Sequence, residues 1–313
     1  MSTRLQPQRG IAIVTAVAVA ALVATLAGFM AFRHSLWMRQ VENQHDLAQA
    51  RDVARSAVNL GRMTLRDDNQ QNQVDHALEP WTIPIPTLPV EQGQAGGRLT
   101  DLQGRFNLNN LLRGPNLTVS PDDVAAFQRL LTAKQLPPDL ANAVIDWIDA
   151  DQQTTYPGGA EDMEYLALEP ARRAANRVLF DINELRLVRG FSEETIKALS
   201  PFVTALPPGT PVNINFAPAE VIAAVTTMNM TEATALATKC KTQPFKTTTE
   251  LNDYTQTLQG QVQTLFQQQG LLDIQSQYVQ SDVAARFGRV TVAYSALINR
   301  DNGKPKLVWL HRR

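Results

Sequence analysis

Between Lys134 and Arg172 the chain carries eight Asp and Glu residues and no lysine or arginine. The dense part is Asp146-Trp147-Ile148-Asp149-Ala150-Asp151, followed by Gly158-Gly159-Ala160-Glu161-Asp162. Asp146 and Asp149 stand three apart, the spacing that puts two side chains on one helix face. Asp151 falls where that helix should end, and the Tyr156-Pro157-Gly158-Gly159 bend can return Glu161 and Asp162 to the same place. Carboxylates that converge without counter-charge repel unless a hard cation lies among them. Ca2+ accepts about six to eight oxygen ligands in flexible geometry, which suits such a loop. Mg2+ demands a tighter octahedron, and the stretch has no His or Cys for zinc. Spacing alone leaves open an ordinary solvated acidic loop, since this is not the EF-hand pattern. A glycosidase-like carboxylate pair is a third reading, with nothing nearby to suggest a sugar cleft.

Elsewhere no enzyme signature stands out. His34, His45, His76 and His311 are scattered and match no triad or metal spacing, and there is no Gly-rich phosphate loop. The 313 residues suggest one large or two modest domains, long enough to bury a core. A formal net charge of −1 and 19% charged residues give no global field pointing to nucleic acid. Cys240 is the single cysteine, so no intramolecular disulfide can form; it reads as a small buried hydrophobe.

The elements that must position the acidic stretch start with Ile11 to Phe32, twenty-two residues without a charge. As a helix this run reaches about 33 Å, close to the ~30 Å hydrocarbon core of a bilayer. It is longer than a secretory apolar region and lacks a convincing small-residue cleavage site. Arg4 and Arg9 in front of it place the N-terminus in the cytoplasm, so the expectation is one membrane pass, N-in and C-out. Leu47, Ala50, Ala54, Ala57/Val58, Gly61 and Leu65 continue as one helical stripe, suited to close packing on a sheet. Asp67-Asp68-Asn69 is expected to end it. Pro80, Pro84, Pro86 and Pro89 exclude helix from the next stretch. Gln94-Ala95-Gly96-Gly97 reads as a turn before a strand over 98–109. Phe287 to Ile298 alternates as a strand, and Leu307 to Leu310 returns after a turn at Arg300–Lys304.

Between these strands the pattern is helical. Ser120-Pro121 is an N-cap with proline at the first position, and Thr247-Thr248-Thr249-Glu250 is a capping box. A loose helical-hairpin unit recurs near Asp123–Leu140, Glu184–Leu199 and Glu220–Leu236. Asp181-Ile182-Asn183-Glu184-Leu185 with Val188-Arg189-Gly190-Phe191 resembles DNA-binding helix-hairpin-helix modules. A membrane-tethered DNA-binding protein of a competence type is therefore an alternative. Residues 120–270 hold eleven Lys and Arg against eighteen Asp and Glu, a balance of −7 that argues against meeting phosphates. The expected fold is α+β: a long N-terminal helix on an antiparallel sheet, with a large all-α domain inserted in that sheet.

Arg9-Gly10 before an uncharged helix is similar to the leader of type IV pilins and type II secretion pseudopilins. Three further features, in this order, resemble the GspK family of minor pseudopilins over essentially the whole chain. They are Asp101-Leu102-Gln103-Gly104-Arg105-Phe106-Asn107-Leu108-Asn109-Asn110-Leu111, the acidic stretch, and Asp181-Ile182-Asn183-Glu184-Leu185. The resemblance implies prepilin peptidase cleavage after Gly10 and methylation of Ile11. It also implies a tip complex with GspI and GspJ, GspH below them, and an inner-membrane assembly platform. Most pilins carry glutamate at mature position five; here that position is Thr15, as fits a family whose members cap the filament. A buried unpaired carboxylate in lipid would also be costly there. The resemblance further implies structural calcium in the inserted domain, with Asp146, Asp149, Asp151, Glu161 and Asp162 as candidate ligands. Expected boundaries are a leader over 1–10, the N-terminal helix over 11–66 with 11–32 in the membrane, a pseudopilin-type sheet over 67–110 and 271–313, and the helical insertion over 111–270.

Overall fold

The computed structural model describes residues 9–257, 271–300 and 303–313. One helix, α1 (Arg9–Gln71), has 63 residues, which makes it about 95 Å long. From Ala12 to His45 every residue is exposed, including Leu22, Phe29 and Phe32. Beyond that, Ala50, Ala54, Val58 and Leu65 are buried, at steps that keep one helical face against the sheet. Ala50, Ala54 and Val58 pack with Val283, Ala285, Phe287, Val292, Tyr294 and Ala296. The alanines let the backbones approach closely. At Gly61 an added Cβ would lie 3.1 Å from Leu99 Cδ2. The helix also runs through Asp67-Asp68-Asn69, where it was expected to stop. Asp68 does not cap; its carboxylate pairs with Arg300 at 2.7 Å.

The sheet has five antiparallel strands in the order β1 (Ile85–Val90), β2 (Gly93–Asp101), β3 (Tyr278–Phe287), β4 (Val290–Asn299) and β5 (Lys306–Arg312). Pro86 and Pro89 sit in the edge strand β1, where a missing N–H interrupts no central ladder. The β1–β2 turn falls at Glu91-Gln92, flanked by the Val90–Gly93 pair, and Glu91 has φ 49°. Gly96-Gly97 is therefore not the turn. These glycines lie inside β2 because neighbouring backbones crowd them: a Cβ on Gly97 would meet Asp282 O at 2.7 Å. The expected strand from Phe287 to Ile298 is broken at Gly288, φ 51°, where β3 turns into β4.

The chain leaves the sheet after Asp101 and re-enters at Tyr278, although Asp101 and Val279 are direct partners across adjacent strands. The insertion holds α2 (Pro121–Ala133), α3 (Leu140–Ile148), α4 (Asp162–Leu166), α5 (Glu193–Leu199), α6 (Ala219–Thr226), α7 (Met230–Thr242) and α8 (Thr248–Gln256). The expected insertion ran to residue 270, and 258–270 lie outside the described residues. Each hairpin unit appears as a pair: α2 with α3, the 3-10 turn Ile182–Leu187 with α5, and α6 with α7.

Phe106-Asn107 does not continue β2; it pairs in parallel with Val203-Thr204 inside the insertion. Phe106, Leu108 and Leu111 belong to the helical core with Phe127, Leu130 and Tyr165. Asn109 then staples two distant loops. It donates to Leu179 O at 2.9 Å and Leu206 O at 2.8 Å, and accepts from Leu179 N at 2.8 Å. That is how an asparagine is satisfied in a dry interior.

Helix, sheet and insertion meet at one buried ion pair. Arg300, at the end of β4, donates to Asp75 and also pairs with Asp68 of α1. Asp75 accepts from Ser276 N at 2.7 Å, and its carbonyl receives the side chains of Asn213 and Asn215 from the insertion. Arg300 is 4% exposed and Asp75 1%. Arg300→Met would leave two desolvated carboxylates without their cation, and removing one partner of a buried pair typically costs about 3–5 kcal/mol. Chemical unfolding of the full chain should show a loss of that size, with helix content preserved at zero denaturant.

Candidate metal centre

All nine residues of α3 are buried, so this helix is a fixed platform. Asp149 leaves it in extended geometry, φ −76° and ψ 173°, while its N–H still bonds Ile145 O at 2.9 Å. Asp151 turns the chain by accepting from Gln153 N at 2.7 Å. Asp146 ties down the returning loop by accepting from Thr155 N at 3.0 Å. Gly159 bonds Thr155 O at 3.0 Å and lies so close to Asp146 Oδ2 that no Cβ fits there. Glu161 then starts α4, held by its own N–H on Glu164 Oε2 at 3.0 Å. Trp147 and Tyr165 pack edge to face beneath it, with ring centres 5.1 Å apart.

The result brings Asp149, Asp151 and Glu161 together, with one oxygen of each within 4.8 Å of the others. Asp146 and Asp162 act around this group. Asp146 is engaged by Thr155, and Asp162 accepts from Ala174 N at 3.0 Å and faces Arg173 at 3.5 Å. Of the five residues singled out in the sequence, three converge and two shape the loops that carry them.

The electrostatics of the three are unfavourable as they stand. Glu161 is 2% exposed and Asp149 8%. Glu161 Oε1, Glu161 Oε2 and Asp149 Oδ1 are buried with no hydrogen-bond partner among the described residues. Burial first, then the charges of Asp146, Asp149, Asp151 and Asp162, push Glu161 up to about 8. Burial, with Asp151 and Asp146 adding, pushes Asp149 up to about 6. Buried oxygens aimed at one another with no donor are the chemistry of a hard-cation site, and carboxylate oxygens are the ligands calcium takes. The donor set fits that ion.

A second trio, Asp68, Asp75 and Glu79, also has one carboxylate oxygen of each within 4.8 Å of the others. It reads differently because it has its own cation, Arg300. Glu79 accepts from Trp81 Nε1 at 2.8 Å, His76 N at 3.1 Å and Asn72 Nδ2 at 3.2 Å. Nothing in the sequence near Arg300 announced this junction.

At the start of α1, residues 1–8 of the expected leader lie outside the described residues, and the backbones of Gly10 and Ile11 are helical. Thr15 is exposed on the helix, and its hydroxyl donates to Ala12 O at 3.0 Å. Cys240 is buried in the helical core, and burial pushes its thiol up to about 11.

Residues 104–208 match the family model described as type II secretion system (T2SS), protein K. Type II secretion system protein K of Pseudomonas aeruginosa is 38% identical over 229 residues, 70% of this chain and 68% of that protein. The protein of the same name in Aeromonas hydrophila is 29% identical over 322 residues, covering 97% of this chain and 96% of that one. Among solved structures, a chain of the GspK-GspI-GspJ complex from enterotoxigenic Escherichia coli superimposes with a TM-score of 0.76. It is 24% identical, over 88% of this chain and 99% of that chain.

The second trio gives a pH test. Burial raises Glu79 to about 7, above the ordinary carboxyl value of 4.5, with Asp68 and Asp75 adding to the rise. The folded chain therefore holds this proton more tightly than the unfolded chain. The stabilisation is complete below the ordinary value and is lost as pH rises through 7. Glu79→Gln should unfold like the parent at pH 4.5 and be more stable at pH 8, on the order of 2 kcal/mol, in urea titrations at the two pH values.

Proposed function

The chain belongs to the type II secretion system protein K family, and on that premise we propose that this minor pseudopilin caps the tip of the pseudopilus. With GspI- and GspJ-like partners, and a GspH-like subunit below, it initiates assembly and supports export of folded proteins across the outer membrane. Its role is structural rather than enzymatic. The observation that carries the reading is the continuity of α1. One unbroken helix is exposed from Ala12 to His45, uncharged as far as Phe32, and packed on the sheet from Ala50 onward. The first half serves as a membrane anchor before assembly and as a filament helix after it. The N-terminus is cytoplasmic and the domain periplasmic, in keeping with Arg4 and Arg9 ahead of the span. Prepilin peptidase cuts after Gly10 and methylates Ile11, and the inner-membrane platform then receives the subunit. At Thr15 the hydroxyl is satisfied within its own helix, so the position calls for no neighbour above it.

The inserted domain supplies the exposed end of the subunit, and we assign calcium to its acidic loop. Asp149, Asp151 and Glu161 would hold the ion directly, with Asp146 and Asp162 fixing the two loops that present them. The ion supplies the positive charge that this trio lacks, and in a chain without disulfides it stabilises the fold by binding only the folded state. The E. coli complex contains GspI and GspJ alongside a chain of the same fold, which supports partners of that kind here.

Two outcomes test the reading. Mass spectrometry of the chain from cells with active prepilin peptidase should find it starting at a methylated Ile11; an intact leader would count against it. Co-expression with GspI- and GspJ-like proteins should yield a ternary complex in calcium that weakens in chelator. Thermal unfolding examines the ion itself: saturating calcium at about 100 times its dissociation constant should add ~2.7 kcal/mol. Glu161→Gln should cancel that gain while raising the stability of the metal-free chain at neutral pH, because folding no longer has to protonate a buried carboxylate.

A further inference from the structure

Where α1 parts from the sheet, it forms a groove with the β3–β4 hairpin, about 600 Å3 in volume. Leu36, Arg39, Gln40 and Leu47 line it from the helix, and Arg289 and Val290 from the hairpin. Arg39 and Arg289 are exposed, and among the described residues neither has an ion-pair or hydrogen-bond partner. Two free guanidiniums facing one groove form an anion site looking for its anion.

The position of the groove says which anion. The charge-free run ends at Phe32. Leu36 is therefore about 6 Å, and Arg39 about 10 Å, above the hydrocarbon edge of a bilayer crossed by this helix. Headgroups fill roughly the first 5–8 Å of that height, and a typical tilt of about 20° lowers the groove further. Helix side chains also lean toward the N-terminus, which here is toward the lipid. Just past the span, beside the groove's lower end at Leu36, stands Trp37, 58% exposed, with His34 against its ring at 6.1 Å, the composition of a membrane interface. The charge around the groove favours an anion. Of the eight residues lining it, Arg39 and Arg289 are cationic and none is acidic, and Asp46 lies higher, against the Gly288 turn. Leu36 and Val290 give the groove an apolar floor beside its two cations.

We propose that this groove binds the headgroup of an anionic phospholipid, with Arg39 and Arg289 holding its phosphate and α1 lying in the same leaflet. The proposal rests on α1 being a membrane span. A bound lipid seats the membrane-proximal edge of the sheet on the bilayer and sets how the domain stands above it until the subunit leaves the membrane. Extraction into a filament then requires the lipid to be released.

The test uses the full chain in mild detergent with equal amounts of phosphatidylglycerol and phosphatidylethanolamine, with retained lipids counted by native mass spectrometry. The wild type should retain phosphatidylglycerol in preference. Each arginine near an anionic surface is worth about fivefold, so R39Q/R289Q should lower retention on the order of 20-fold. R51Q/R55Q, exposed on the same helix farther from the membrane, should retain it as the wild type does. Both double variants should unfold at the wild-type temperature. Equal retention by R39Q/R289Q and wild type, or no preference for the anionic lipid, overturns the proposal while the span reading stands. A second copy of the chain held in place of lipid, seen as a dimer mass, also overturns it. Release of the chain from cell membranes by alkaline carbonate would instead remove the span reading and the proposal with it.

Discussion

A carboxylate removed from water must be neutralised by a proton, a fixed cation or a bound one, and this fold rests on that constraint in two places. At the junction of helix, sheet and insertion the cation is built in: Arg300 lies against Asp68 and Asp75. At the end of α3 it is not, and Asp149, Asp151 and Glu161 converge with three buried oxygens unpartnered among the described residues. The first arrangement fixes how the insertion is joined to its stalk whatever the solution contains. The second has no built-in cation of this kind among the described residues. The insertion is thus tied at its root by fixed charges and carries unneutralised carboxylates at the end of α3.

The rest of the architecture follows from the need to carry that domain on one helix. The alanine stripe lets α1 lie flat on the sheet through Ala50 and Ala54, and the same helix extends unpacked toward the membrane. The insertion leaves and re-enters between adjacent strands, so its two connections are neighbours and Asp101 still pairs with Val279. Asparagines at 107, 109 and 110 satisfy loop backbones that have no ladder to join. Polar groups do inside this insertion what disulfides do in many extracytoplasmic domains, and the single cysteine stays an inert part of the core.

Some of this was legible in the sequence. The span, the stalk stripe and the final hairpin were, because each is a periodic pattern set by one element against one surface. The acidic loop was legible because eight acidic residues run without a compensating base. What stayed hidden depends on partners far along the chain. Gly96-Gly97 looks like a turn until the backbone of β3 is placed beside it. Strand β3 is hard to see because Ser281 and Ala285 interrupt the inward row of Val279, Val283 and Phe287, yet it is the centre of the sheet. Asp68 looks like a helix end until Arg300, 232 residues later, takes its charge. Spacing puts Asp146 and Asp149 on one helix face, but Asp149 leaves the helix in extended geometry, while Asp146 stays in it and accepts from Thr155 of the returning loop.

One carboxylate cluster is expected to take a cation from solution and the other is not. Crystals of the chain grown in calcium, with diffraction collected at a wavelength where calcium scatters anomalously, test that directly. An anomalous peak is expected among Asp149, Asp151 and Glu161 and none beside Asp68, Asp75 and Glu79. An empty first site in saturating calcium, or a peak at the Arg300 junction, would contradict it.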